Sequence, residues 1–81
     1  MQEQITVDIA TPKGVFHGEF PKTTKVEEVI IAVLSEMGLD GGDTFDLVYK
    51  GQVLQPIQRP LVSFGIEGSV KLELVATGSG V

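Results

Sequence analysis

Val26, Val29, Ile30, Val33, Leu34 and Met37 recur at spacings of three and four residues, which draws one apolar stripe along one side of a helix. A helix with a single stripe must lay it on something. Four of the six stripe residues are β-branched, which lowers intrinsic helicity, so this helix is expected to depend on a sheet for its stability. Thr24-Lys25-Val26-Glu27 fits a capping box, with the Thr24 hydroxyl and the Glu27 carboxylate satisfying free amides. Gly38 suits a left-handed C-cap, and Leu39 supplies the apolar contact that accompanies one.

The rest of the chain reads as the strands of that sheet. Ile5 to Ala10 alternates with period 2, placing Ile5, Val7 and Ile9 inward and Thr6, Asp8 and Ala10 outward. Thr11-Pro12-Lys13-Gly14 is a turn, and Val15 to Phe20 is the returning strand. The phase of that strand is ambiguous, because Val15 and Phe16 are adjacent and Gly18 interrupts, so a bulge is expected near Gly18. After the helix, Asp40-Gly41-Gly42-Asp43 is a loop. Phe45, Leu47 and Tyr49 then face inward, with Asp46 and Val48 outward. Lys50-Gly51-Gln52 turns the chain into a short strand at Val53-Leu54. Pro56 and Pro60 exclude regular structure between them. The last strand sends Val70, Leu72 and Leu74 inward and Lys71, Glu73 and Val75 outward. The apolar pattern then stops, and residues 77–81 are expected to form a flexible tail beyond a domain spanning residues 1–76.

Eighty-one residues make one domain, since a split chain could not bury two cores. Cysteine is absent, so neither a disulfide nor a thiolate metal site contributes, and one histidine is too few for a His-rich cluster. Met-Gln-Glu-Gln at the start lacks a basic leader, and no apolar run approaches the roughly 20 residues that cross a bilayer. A soluble cytoplasmic monomer without a membrane partner is the expectation. Eleven carboxylates face six Lys and Arg, and Lys13, Lys22, Lys25, Lys50, Arg59 and Lys71 are scattered along the sequence. Nucleic acid, which is bound by clustered cations, is therefore not an expected partner.

The order strand, turn, strand, helix, strand, short strand, strand resembles ubiquitin over nearly the whole chain. The resemblance is carried by the helix stripe with Gly38-Leu39, by Leu47-Val48-Tyr49-Lys50-Gly51-Gln52-Val53-Leu54, and by Leu61 to Ile66 with Phe64 where ubiquitin has Tyr. The fold it implies is α+β: a ubiquitin-like β-grasp with a four- to five-stranded mixed sheet and one helix packed across it.

The resemblance also implies two sites, and this chain departs from ubiquitin at both. Ubiquitin ends in Gly-Gly preceded by arginines. The matching positions here are Gly80 and Val81, with Thr77 and Ser79 where the arginines would be. In conjugating relatives an activating enzyme adenylates the terminal Gly carboxylate, and a bare Gly threads a narrow channel that β-branched Val81 would obstruct. Conjugation through Gly78-Ser79-Gly80-Val81 would then need a peptidase to remove Val81 and expose Gly80. The second site is the outer face of the sheet. Ubiquitin has a small apolar patch there with a basic rim. The matching apolar positions are Ala10, Val48 and Val75, and the rim positions are Asp8, Asp46 and Glu73, so the rim is expected to be acidic. If docking removed about 200 Å² of apolar surface, the gross gain would be about 5 kcal/mol. Association alone costs about that much, so charge must add to the binding, and an acidic rim favours basic partners.

No catalytic constellation is visible. Ser35, Ser63, Ser69 and Ser79 sit in no nucleophile elbow or triad pattern, and Asp40-Gly41-Gly42-Asp43 lacks the glycine position and distal glutamate of a calcium loop. The expectation is a non-enzymatic protein without cofactor or metal: a ubiquitin-like modifier or protein-interaction module acting through its tail and outer sheet face. The alternative is a non-conjugated β-grasp subunit like those encoded near bacterial type VII secretion systems. A sulfur carrier is a third reading, and it is disfavoured because those carriers end in Gly-Gly.

Overall fold

In the computed structural model, residues 4–39 and 44–77 are described. The elements are β1 (Gln4–Thr11), β2 (Gly14–Pro21), α1 (Val26–Met37), β3 (Thr44–Tyr49), β4 (Gln52–Val53), a short 3-10 helix (Leu61–Phe64) and β5 (Ser69–Thr77). The five strands form one mixed sheet in the order β2-β1-β5-β3-β4. β5 is the central strand; it pairs parallel with β1, and the other neighbours are antiparallel.

The period-2 pattern of β1 survives intact: Ile5, Val7 and Ile9 are buried. They meet Val26, Val29, Ile30 and Val33 of α1, Phe45 and Leu47 of β3, and Leu72 and Leu74 of β5 in one cluster. Leu54, Leu61 and Ile66 complete it, so the irregular segment after β4 is anchored by large side chains as well as by single backbone bonds to the start of α1. No polar or charged side chain is buried among the described residues, so the core carries no desolvated charge.

Three local expectations need correction. The bulge at Gly18 does not form. β1 and β2 pair without interruption from Thr11↔Gly14 to Gln4↔Pro21, with Gly18 opposite Val7. Gly18 is needed for side-chain space instead, because a Cβ there would stand 2.8 Å from Cε2 of Phe16. Phe16 stacks on Phe20, with ring centroids 6.2 Å apart and planes at 27°, and both pack against the core from the edge strand.

The capping residues lie one position later than the sequence pattern suggests. Lys25 is the N-cap, and its amide donates to Oε1 of Glu28 at 3.0 Å. A lysine side chain offers no acceptor, so the box is one-sided. Thr24 is committed elsewhere: its amide donates to Pro21 O at 2.9 Å and its carbonyl accepts the Leu61 amide at 2.9 Å. The other end of the helix is as expected. Gly38 is left-handed (φ 69, ψ 35), the Leu39 amide reaches Leu34 O at 2.8 Å, and Leu39 packs on the core.

Thr77, expected in the tail, is the last residue of β5 and pairs with Thr44. Asp40 to Asp43 and Gly78 to Val81 lie outside the described residues, and so do the loop and tail expectations placed on them.

Candidate functional site: the outer face of the sheet

Registers on both sides of β5 assemble this site. Glu73 is level with Ala10 on β1 and with Val48 on β3. Ala10 is in turn opposite Val15 on β2, and Val48 is opposite Val53 on β4. Val15, Ala10, Glu73, Val48 and Val53 therefore cross all five strands in one lateral row. The β1 and β5 positions in it face away from the core by the alternation that buries their neighbours Ile9 and Leu72. Val75 lies two residues along β5 on the same side and pairs with Asp46. Val15, Val53 and Val75 are 51%, 40% and 41% exposed, high values for large aliphatic side chains.

The structure thus brings together the six outer-face residues read from the sequence, Asp8, Ala10, Asp46, Val48, Glu73 and Val75. It adds Val15 and Val53, which sequence reasoning missed. Their outward direction was legible in part, but their alignment with Val48 and Ala10 depends on pairing registers that no single strand encodes. Around the row is a concavity of about 590 Å³ whose lining includes Asp8, Ala10, Val15, Val48, Lys71 and Glu73.

The rim is less acidic than expected. Asp46 and Glu73 flank the valines at the β3–β5 end. At the β1 end, Asp8 is level with Lys71 in the parallel pair and accepts His17 Nδ1 at 2.6 Å. Lys50 and Lys71 both line the concavity, one on the β3–β4 turn and one on β5, so cations stand among its carboxylates.

The β3–β4 turn fixes one border of the site. Lys50 and Gly51 both have positive φ, 53 and 81, the conformation of a two-residue primed turn. Lys50 also holds its ammonium 5.3 Å from the Tyr49 ring centroid.

The cations are less dispersed in space than in sequence. Val26 donates to Arg59 O at 3.1 Å, Val62 donates to Lys22 O at 3.1 Å, and Lys25 bridges Pro60. The backbone segments bearing Lys22, Lys25 and Arg59 are therefore adjacent at the start of α1, where Glu27 and Glu28 accompany them.

No protein-family model and no curated protein sequence matches the chain. Solved structures do. The chain is similar to a de novo designed protein based on ubiquitin (TM-score 0.79, 23% identity, 95% of this chain and 93% of that one). It is similar to the ubiquitin of Caldiarchaeum subterraneum (TM-score 0.78, 23% identity, 96% and 99%). It is also similar to a ubiquitin-like domain of Arabidopsis thaliana (TM-score 0.80, 20% identity, 94% and 80%). The chain has the ubiquitin-like β-grasp fold.

Proposed function

We infer that this chain is a non-catalytic ubiquitin-like protein, a modifier or an interaction module, that engages protein partners through the outer face of its sheet. The observation carrying this reading is the lateral row Val15, Ala10, Glu73, Val48 and Val53 with Val75 beside it, around an open concavity. Exposed aliphatic groups gathered on one face mark a docking surface, and flanking charges orient what docks. Asp46 and Glu73 favour a partner that brings an apolar side chain with a cation beside it. The modifier form of the reading rests on Gly78-Ser79-Gly80 following directly after the last residue of β5.

The two forms separate in one experiment. The tagged full chain is expressed in its native host and recovered under native conditions and after boiling in detergent with reductant. An interaction module gives partners that are lost with Val48→Asp, retained with the surface control Ile31→Asp, and absent after boiling. A modifier gives adducts that survive boiling and vanish with Gly80→Ala. Recovery unaffected by all three substitutions would overturn both forms.

A further inference from the structure

The two edges of the sheet are unequal. β4 is two residues long, and its brevity limits pairing with another chain. β2 is eight residues long and lies at the other edge. Most of the usual edge protections are missing from it: its ladder with β1 is unbroken, its one proline is the final residue, and it contains no lysine, Glu19 being its one carboxylate.

The direction of its free backbone groups follows from β1. Thr6 donates its amide to Gly68 O at 2.8 Å, on the β5 side. The even residues of β1 therefore point their backbone groups at β5, and the odd residues point theirs at β2. Across the ladder, Gly14, Phe16, Gly18 and Phe20 spend their groups on β1. Val15, His17 and Glu19 turn theirs to the open edge, where no backbone bond receives them among the described residues.

We propose that two copies of this chain pair antiparallel through their β2 edges, with Gly18 on the two-fold axis, forming one continuous sheet. The β2 sequence is self-complementary in that register. His17 stands opposite Glu19 of the second copy, and the two residues exchange both N–H···O bonds. The axis repeats the exchange. His17 and Glu19 share the outer face, so the pair also brings an imidazole beside a carboxylate. On the inner face Phe16 stands opposite Phe20 of the second copy. That position is not hydrogen-bonded, so side chains come closest there. Phe16 and Phe20 are only half-buried by their own chain, and the seam would cover them. At the axis Gly18 faces Gly18, which leaves room for the Phe16 rings that already lean over it. The register one residue away would instead put His17 against His17 and Phe16 against Gly18.

The pairing departs from the monomer expected from the sequence and is independent of the reading above, since it leaves Val48 and Val75 uncovered. It is tested by sedimentation equilibrium on the full chain over a concentration series, with amide hydrogen exchange read by NMR. The expected result is a dimer in which the His17 and Glu19 amides become protected as concentration rises. Intermolecular contacts between Phe16 and Phe20 rings should appear when labelled and unlabelled chains are mixed. Glu19→Pro removes one donor per copy at a residue whose amide has no backbone partner among the described residues. It should raise the dissociation constant about tenfold. Should Glu19→Pro unfold the chain, the wild-type exchange and mixed-label spectra still decide. A monomer at every concentration, a dimer whose His17 and Glu19 amides stay unprotected, or edge protection appearing only with an added extended peptide would each overturn the proposal.

Discussion

Val48 stands directly opposite Glu73 across the β3–β5 ladder, and one step along the same face Asp46 stands opposite Val75. Valine and carboxylate thus alternate both along the strands and across them. The apolar surface is divided into small units, each with an acid beside it, which suits a partner carrying mixed apolar and cationic side chains and discourages nonspecific association.

That pairing separates binding from stability. Val48→Asp sets two carboxylates opposite each other and should cost about 0.2–1 kcal/mol, whereas Val48→Lys creates an opposite-charge pair with Glu73 and should offset its loss of packing by a similar amount. Both remove the valine from the row, so both should abolish partner recovery. Urea midpoints of the three proteins check this: Val48→Lys should lie above Val48→Asp. The reverse order would mean that the 48–73 pairing does not form in solution.

Gly51 is fixed by its backbone and not by its surroundings. Its φ is 81, and nothing stands within 4 Å of where a Cβ would sit. Gly51→Ala should therefore cost about 1–2 kcal/mol, the left-handed penalty alone, without displacing a neighbour. Thermal unfolding combined with an otherwise unchanged amide spectrum is the check, and a shift spreading into the core would contradict it.

Gly18 presents the opposite case. Its backbone lies in an ordinary ladder, but an added Cβ would meet the Phe16 ring at 2.8 and 2.9 Å. Gly18→Ala should expel the ring from its stack on Phe20 and destabilise by about 1–3 kcal/mol, in the range of overpacking. The aromatic proton shifts of Phe16 and Phe20 should move together. Unchanged shifts would mean that the ring is not where the structure puts it.

The helix start offers a comparison between adjacent residues. Glu28 accepts the Lys25 amide, so Glu28→Ala should cost about 0.5–1 kcal/mol through the lost cap, and Glu27→Ala should cost less. Chemical denaturation of the two variants decides it. Equal losses would reduce both glutamates to their charge effect at the helix N-terminus.

Much of this architecture was legible because its signals are periodic. The stripe from Val26 to Met37 and the alternation of Ile5, Val7 and Ile9 each report one inward face: Ile5, Val7, Ile9, Val26, Val29, Ile30 and Val33 are buried, and Leu34 and Met37 are partly buried against the same core. Errors arose where a local motif had two equivalent readings. Thr24–Glu27 and Lys25–Glu28 are both spaced for a cap, and the choice was made by the Lys25–Pro60 bridge and the Leu61 amide on Thr24, contacts from a segment more than thirty residues away. At Gly18 the sequence offered a gap in the pattern, and only the position of the Phe16 ring explains it. The outer face was half legible: each strand showed which residues turn outward, but the meeting of Val15, Ala10, Glu73, Val48 and Val53 belongs to inter-strand register. The level placement of Asp8 and Lys71, which weakens the expected acidic rim, has the same origin.

The parallel joining of β1 to β5 has a temporal consequence. A chain emerging from the ribosome exposes Ile5, Val7 and Ile9 early, but the strand that belongs at the middle of the sheet is synthesised after every other element. Until it arrives, the hairpin formed by β1 and β2 and the one formed by β3 and β4 have no strand between them. Closure is therefore expected as the last step of folding, set by how quickly distant segments find each other.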